Sequence, residues 1–401
     1  MGEQPRKAAG GGDERAAVAR LPLGENLTGR GLVLVTLGLL ALGVVMVYSA
    51  VATVAPRGEW YNRVGFRHMV FAAAAAGLLI ALWRLNAYRL NAGKRFPWVA
   101  ALLLAAALAC GGLVFVPGVG HSIGGYFRWI RIGPEKYAIG FQPSEIIKIA
   151  LVVFLSAWLT RQAVNVRSFG RTFVPAMVLI GGCMALVITQ DFGTAMLIAA
   201  SAGATLLLAG VPWYHLGGVL ASAAVGFYFF VVRDPYRWSR IEAMLDPWSR
   251  DNPAAYQAGQ SILAVMTGGW TGKGLGLGTV KQGYLPEDST DFIFSVCCEE
   301  MGLVGGILVL ALLGLWIVLA WRAAARAEDP FGRVLAGSLG FLVGMQAVLH
   351  VAVDLVVVPP KGLGLPFVSA GGTSLLIMAA ATAMIVSVSS RRHAALESNR
   401  L

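Results

Sequence analysis

The most chemically suggestive stretch of the chain is Leu285-Pro286-Glu287-Asp288-Ser289-Thr290-Asp291-Phe292-Ile293-Phe294, which sets three acids within five residues at the edge of an apolar run. Ser289 or Thr290 could cap a helix that begins here. Asp291 would then sit in its first turn, where the helix dipole lowers a carboxylate's pKa. Capping accounts for one acid, but not for Asp291 leading straight into Phe-Ile-Phe. A carboxylate at such a mouth has the chemistry of a general base acting on a hydroxyl. Glu299 and Glu300 lie further along the same run and need partners or a water-filled cavity, structural pairing being the simpler reading.

Three more segments put ionisable groups in or at the ends of apolar runs, where charge is costly and each group is a functional candidate. In Gln142-Pro143-Ser144-Glu145-Ile146-Ile147-Lys148, Pro143 and Ser144 look like a helix start and Glu145 suits its positive end. Glu145 and Lys148 are i, i+3 and can pair, so a structural ion pair stands beside direct binding or catalysis. Asp191, between two apolar runs, fits a helix cap or a partner for Lys148. The Pro/Gly-rich segment from Pro359 to Ser374 also joins two apolar runs. Non-helical backbone at that depth survives only when buried in protein or lining a cavity. His350 and Asp354, i, i+4 on the run before it, read as a buried hydrogen-bonded pair.

The elements that must position these groups are membrane helices. Of 401 residues, 57% are hydrophobic and only 13% charged, which excludes a disordered chain and argues against an ordinary soluble enzyme. A bilayer core needs about 20 apolar residues per helix. Ten candidate spans follow, at 31–54, 68–83, 96–116, 144–160, 173–190, 192–210, 214–232, 291–320, 334–358 and 371–390. The fold class is an all-α polytopic membrane protein. Residues 1–30 form a disordered cytoplasmic tail, 31–390 a single membrane domain and 391–401 a second cytoplasmic tail. Arg6, Lys7, Arg15, Arg20 and Arg30 before the first span, Arg84, Arg89, Lys94 and Arg95 after the second, and Arg391 and Arg392 after the last put both termini in the cytoplasm.

The outer connections are basic too, with Arg57, Arg63, Arg67, Arg128, Arg131, Lys136, Arg233, Arg237, Arg240, Arg250, Lys273, Lys281 and Lys361. Neutralisation by acids and headgroups is the bland reading, a site for an anionic ligand the functional one, since arginine's planar fork suits phosphate. The longest outer connection, 233–290, carries Trp238, Trp248 and Trp270 beside a glycine-rich run and reads as a packed loop at the interface. The net charge of +11 points to anionic lipid before nucleic acid. Cys110, Cys183, Cys297 and Cys298 read as packing residues without disulfides. There is no Walker loop, no dinucleotide fingerprint after a strand and no His-x-x-x-His pair.

Taken in order, these segments resemble the SEDS family of bacterial cell-wall polymerases. The resemblance runs from Met46 to Ser374 and is carried by Arg128-Trp129-Ile130, Gln142-Pro143-Ser144-Glu145 with Lys148, Asp191-x-Gly193-Thr194-Ala195, Leu285-Pro286-Glu287 with Thr290-Asp291-Phe292, and Leu365-Pro366-Phe367-x-Ser369-x-Gly371-Gly372. It implies a peptidoglycan glycosyltransferase that polymerises lipid II into β-1,4 glycan at the outer face of the bacterial cytoplasmic membrane. It makes Asp291 the catalytic base, with Arg128, Lys148, Arg237, Arg240, Lys281, Glu287 and Ser369 toward the substrate. Glu145, Asp191, Trp129, Gln142, Thr290, Gly371 and Gly372 would support them. A divalent cation such as Mg or Mn could assist the leaving group, but no ligand set is visible. The implied partners are a class B penicillin-binding transpeptidase, divisome proteins and membrane lipid, with no nucleic acid. Met46-Val47-Tyr48-Ser49-Ala50 and Pro359-Pro360-Lys361-Gly362-Leu363 look more like the family's division member than its rod-shape member, which stays the alternative. A lipid II flippase and a non-catalytic scaffold are the competing classes. Four positions depart from the family pattern: Ser289 stands for His, Gln190 for Pro, Ala370 for Tyr and His350 for Asn.

Overall fold

The computed structural model describes residues 19–20, 22, 25–52, 64–83, 86–93, 96–123, 126–132 and 139–392. Both predicted tails lie largely outside the described residues, as do Arg57, Arg63, Arg84, Lys94, Arg95 and Lys136. The chain is a polytopic helical membrane protein, with seven helices long and apolar enough to cross a bilayer among the described residues. These are α1 (Leu27–Val51), α2 (Val64–Leu82), α5 (Val174–Ile188) with its preceding π-turn Phe169–Phe173, α7 (Trp213–Phe227) with the π-turn Tyr228–Val232, α10 (Ile293–Ala325), α11 (Pro330–Asp354) and α12 (Gly372–Ser389). Three shorter helices match the remaining expected spans: α3 (Trp98–Leu113), α4 (Pro143–Leu159) and α6 (Phe192–Leu208).

Helix α4 is buried along nearly its whole length, so the bundle is organised around it, with α11 packed on one side and α3 and α6 on others. Helices α1, α2, α10 and α12 pack together beside that centre. Helix α7 leaves most of its apolar surface outward, as a lipid-facing helix does. Between α3 and α4 the chain makes a small antiparallel sheet of β2 (Gly120–Ile123), β3 (Tyr126–Ile132) and β4 (Ile139–Phe141). At the other end of the chain order, β1 (Ala19–Arg20) pairs with β5 (Arg391–Arg392), so the two ends of the described chain meet.

The loop expected over 233–290 contains two helices, α8 (Pro235–Leu245) and α9 (Pro253–Thr267). Each starts at an Asx-Pro step, where the fixed proline φ suits the first helical position. Asp234 and Asn252 accept the orphan backbone N–H groups of Tyr236 and Ala254. The cysteines are free, as expected, with Cys110 only half buried.

The eighth span differs from a plain helix. It starts at Ile293, runs for 33 residues, and is broken at Gly302, whose φ of 68° is open to glycine and strained for other residues. The groups released by the break are not left bare. Lys273 and Gly274 donate their N–H groups to the carbonyls of Glu299 and Glu300, while Leu303 and Val304 donate to those of Gly269 and Trp270. The glycine-rich run thus completes the broken helix, as buried non-helical backbone in a membrane must. Glu299 accepts from the Lys273 ammonium at 2.6 Å and from Thr279, and Glu300 pairs with Lys281 at 2.8 Å, so both acids are structural.

Candidate active site

Helices α4, α6, α10 and α12 begin at one end of the bundle, around the acids singled out in the sequence. Four positive helix ends there favour negative charge. Cross-links tie these starts together. The Gln142 N–H donates to Thr373 Oγ1 at 3.2 Å, and the Ala370 N–H to the Ser289 carbonyl at 2.9 Å. Ser369 Oγ donates to the Thr290 carbonyl at 2.6 Å and accepts the Leu365 N–H at 2.6 Å. Ser369 therefore clamps the Pro/Gly-rich segment to the turn that carries Asp291. Gly371 begins α12, and Gly372 lies against the Phe71 ring, where an added Cβ would sit 2.8 Å away.

Asp291 sits in a tight turn before α10, its N–H donated to the Glu287 carbonyl at 2.9 Å. Glu287 holds a left-handed φ of 58° and accepts from Thr290 Oγ1 at 3.0 Å. Phe367, across the clamp, has a φ of 68°. Strain of this kind persists only where surroundings impose it, and it gathers at functional sites. The expectation that the helix dipole would hold the Asp291 pKa down is corrected. Burial, then the negative charges of Glu287 and Asp191, push it up to about 7, against the pull of Arg240 and Arg128. Asp288, half buried in the same turn, rises to about 6, with burial again the main cause. The expected Ser289 or Thr290 cap is also corrected: neither caps α10, and Thr290 Oγ1 bonds Glu287 instead.

Asp191 is the N-cap of α6, accepting the Thr194 N–H at 2.9 Å and Thr194 Oγ1 at 2.8 Å. It does not pair with Lys148. Lys148 is buried, 2.7 Å from Glu145, and donates to Gln346 Oε1 at 2.9 Å; Gln346 in turn donates to the Gly364 carbonyl. The structural reading of Glu145 and Lys148 is therefore the one the geometry favours, and the pair holds up the Pro/Gly-rich segment. Lys281, expected toward the substrate, is instead buried on Glu300 and the Ser49 carbonyl. Arg237 is likewise corrected to a latch. It spends its donors on the carbonyls of Phe230, Ile188 and Thr189 and on Asp234, and covers the Phe192 ring.

Arg240 and Arg128 lie near enough for their charges to pull the Asp291 pKa down. Arg240 is braced by the Pro360 carbonyl at 2.8 Å and the Tyr236 hydroxyl at 2.7 Å. Arg128 stands on β3 next to Trp129, which packs over Gly140 of β4. Lys361 was absent from the expected substrate residues. Its stem lies over Gly193, where an added Cβ would be 3.5 Å from Lys361 Cδ. Burial lowers its pKa while Asp191 opposes that shift. The sequence signal was a lysine inside a proline- and glycine-rich membrane break. Gly362, beside it, is exposed and faces the carboxylate, an added Cβ lying 3.2 Å from Asp291 Oδ2.

A small cavity of about 30 Å³ opens beside these groups. Arg128, Gln142, Ser144, Gln190 and Asp191 form its polar part, and Val114, Phe115, Phe127, Ile147, Leu186 and Val187 its apolar part. No group of three or more His, Cys, Asp or Glu side chains fit to hold a metal occurs among the described residues.

Fold and site define a polytopic membrane protein with a cluster of carboxylates, Asp191, Glu287, Asp288 and Asp291, and two arginines, Arg128 and Arg240, where helix starts converge. The chain belongs to the FtsW/RodA/SpoVE family, whose sequence profile, described as "Cell cycle protein", matches residues 30–394. It is 37% identical over 369 residues to a probable peptidoglycan glycosyltransferase FtsW of Geobacter sp. (strain M18), covering 89% of this chain and 95% of that one. It is 37% identical over 377 residues to a protein of the same name from Halorhodospira halophila, covering 92% and 91%. Among solved structures it is similar to a chain from work on the structural coordination of polymerization and crosslinking by a peptidoglycan synthase complex, with TM-score 0.72, 26% identity, and 90% and 97% coverage. It also resembles the rod shape determining protein RodA of Thermus thermophilus, with TM-score 0.62, 25% identity, and 90% and 95% coverage.

Proposed function

We propose that Asp291 is the general base with which this chain polymerises lipid II. The chain is a peptidoglycan glycosyltransferase, and the names of its relatives favour septal over rod-shape synthesis. In the proposed step Asp291 takes the proton of the acceptor's sugar hydroxyl. The resulting oxygen attacks the donor's anomeric carbon, and the bond to pyrophosphate breaks, the lipid pyrophosphate leaving with the electron pair. A neutral hydroxyl is a weak nucleophile, so a poised base supplies activation. Arg128, Arg240 and Lys361 offset the pyrophosphate charge, with the converging helix starts behind them.

The observation that carries this reading is the placement of the Asp291 carboxylate in the turn before α10, 3.2 Å from where a Cβ on the exposed Gly362 would stand, with burial raising its pKa to about 7. A base poised near the working pH is what proton abstraction requires. The proposed topology has ten spans and both ends in the cytoplasm, supported by the β1–β5 contact between chain ends and by the inward arginines. The active site then faces the outside of the inner membrane. The proposed partner is a class B penicillin-binding transpeptidase that crosslinks the glycan, together with other divisome proteins, and any metal requirement is left to a titration of the purified enzyme with Mg and Mn.

The test is polymerisation of purified lipid II by the detergent-purified protein with its cognate transpeptidase, wild type beside Asp291→Asn. Glycan from the wild type and none from a well-folded Asp291→Asn is the expected result. Equal glycan from both sinks Asp291 as the base. No glycan from the wild type turns the reading toward lipid transport.

A further inference from the structure

A buried pair beneath the site has no place in the step just described. His350 and Asp354 on α11 are both fully buried, with His350 Nε2 3.6 Å from Asp354 Oδ2. That separation is too long for a hydrogen bond, so the expected bonded pair is corrected. Each member reaches instead for the backbone of a different segment.

Asp354 reaches α10. The residue before that helix, Phe292, offers no side-chain cap, so its first N–H groups need outside acceptors. Asp354 Oδ2 accepts the Ser295 N–H at 2.9 Å and Ser295 Oγ at 3.3 Å. Ser261 of α9 completes the joint, 2.6 Å from Ser295 Oγ and 2.7 Å from the Asp354 carbonyl. His350 reaches the Pro/Gly-rich segment: its Nδ1 lies 2.6 Å from the Leu363 carbonyl, which can only accept, so Nδ1 carries the proton.

Those two segments are the walls of the site. Asp291 is two residues before the capped helix, and Gly362, next to Leu363, is the backbone that faces its carboxylate. We infer that the His350–Asp354 pair is a positioning element of the reaction, fixing together with the Ser369 clamp the separation between the Asp291 turn and the Gly362 backbone where the acceptor hydroxyl must sit. This rests on Asp291 being the base. A helix cap supplied from a neighbouring helix couples the two walls: α11 cannot shift without moving both. Displacement of a reacting group by about 1 Å can cost on the order of 100-fold in rate.

The test compares substitutions that keep or remove the reaching atom, in the lipid II assay with the transpeptidase present. Asp354→Asn keeps an oxygen for the Ser295 N–H, whereas Asp354→Leu removes it. Asp354→Leu is expected to lower kcat by roughly 30-fold or more with KM within about twofold, while Asp354→Asn stays within about threefold of wild type. A purely structural role would lower the yield of folded protein and leave kcat per folded molecule unchanged. Where Asp354→Leu fails to fold, His350→Leu against His350→Gln decides. The glutamine amide can still donate to the Leu363 carbonyl, so only the leucine variant should lose kcat. Unchanged kcat in folded leucine variants, a change in KM alone, or equal loss in the conservative variants would overturn the inference. Asp291→Asn in the same assay keeps the two readings apart. Its full activity removes the base, whereas its inactivity beside a fully active Asp354→Leu removes only the positioning pair.

Discussion

The base assignment has a pH signature whose size follows from the site. With a pKa of about 7, Asp291 is about half ionised at pH 7, near one tenth at pH 6 and near nine tenths at pH 8. Only the ionised form accepts a proton, so kcat/KM should rise roughly tenfold for each pH unit below about 6 and level off above about 8. An ordinary exposed aspartate would already be ionised across that range and give a flat profile. The assay is the initial rate of glycan formation at limiting lipid II, over about pH 5.5 to 8.5, with structure checked by thermal unfolding at each pH. Glu287→Gln sharpens the test. The Glu287 charge helps to raise the Asp291 pKa, so its removal must move the acid limb to lower pH. Replacing Arg240, which pulls the other way, must move it to higher pH. A flat wild-type profile refutes the reasoning, and so does an unmoved limb in a folded, active Glu287→Gln.

Two further substitutions separate the frame from the chemistry. Lys148→Met strands Glu145 in a buried site, and a broken buried pair costs about 3–5 kcal/mol; the unfolding midpoint in detergent should fall markedly, and an unchanged midpoint would deny the pair its structural role. Gly362→Leu sits on exposed backbone with ordinary φ, so stability should hold while the side chain covers Asp291 Oδ2. Polymerisation should fall by about tenfold or more, and retained activity would mean the acceptor approaches from another side.

What was legible in the sequence was whatever local physics decides. Apolar length marked the spans, and Pro143 marked the start of α4. Asp291 stood out because an acid next to Phe-Ile-Phe has no local excuse. Beyond the local Glu145–Lys148 pair, the roles of the cations were not legible, because their other contacts lie far along the chain. Lys281 meets Glu300 and Ser49, Lys148 meets Gln346, and Arg237 meets the carbonyls at the end of α5. A basic residue in an outer loop looks the same in sequence whether it faces a pyrophosphate or a buried glutamate.

The same point explains why the site sits where regular structure fails. A continuous α10 would bury its own hydrogen bonds and expose no polar backbone. The break at Gly302 and the extended Pro359–Ser374 segment both release backbone groups inside the bundle, and each released group must find a partner there. The backbone of 269–274 partners the break at Gly302, and Gln346, Ser369 and His350 partner the Pro/Gly-rich segment. Side chains that would be costly alone in a membrane are thus required by the breaks, and the breaks bring Lys361 and Gly362 beside Asp191 and Asp291. Ionisable groups near the breaks are therefore of two kinds. Those bonded to broken backbone hold the frame, and Asp291, with Asp191, Arg128 and Arg240 near enough to shift its pKa, forms the site proposed for the substrate.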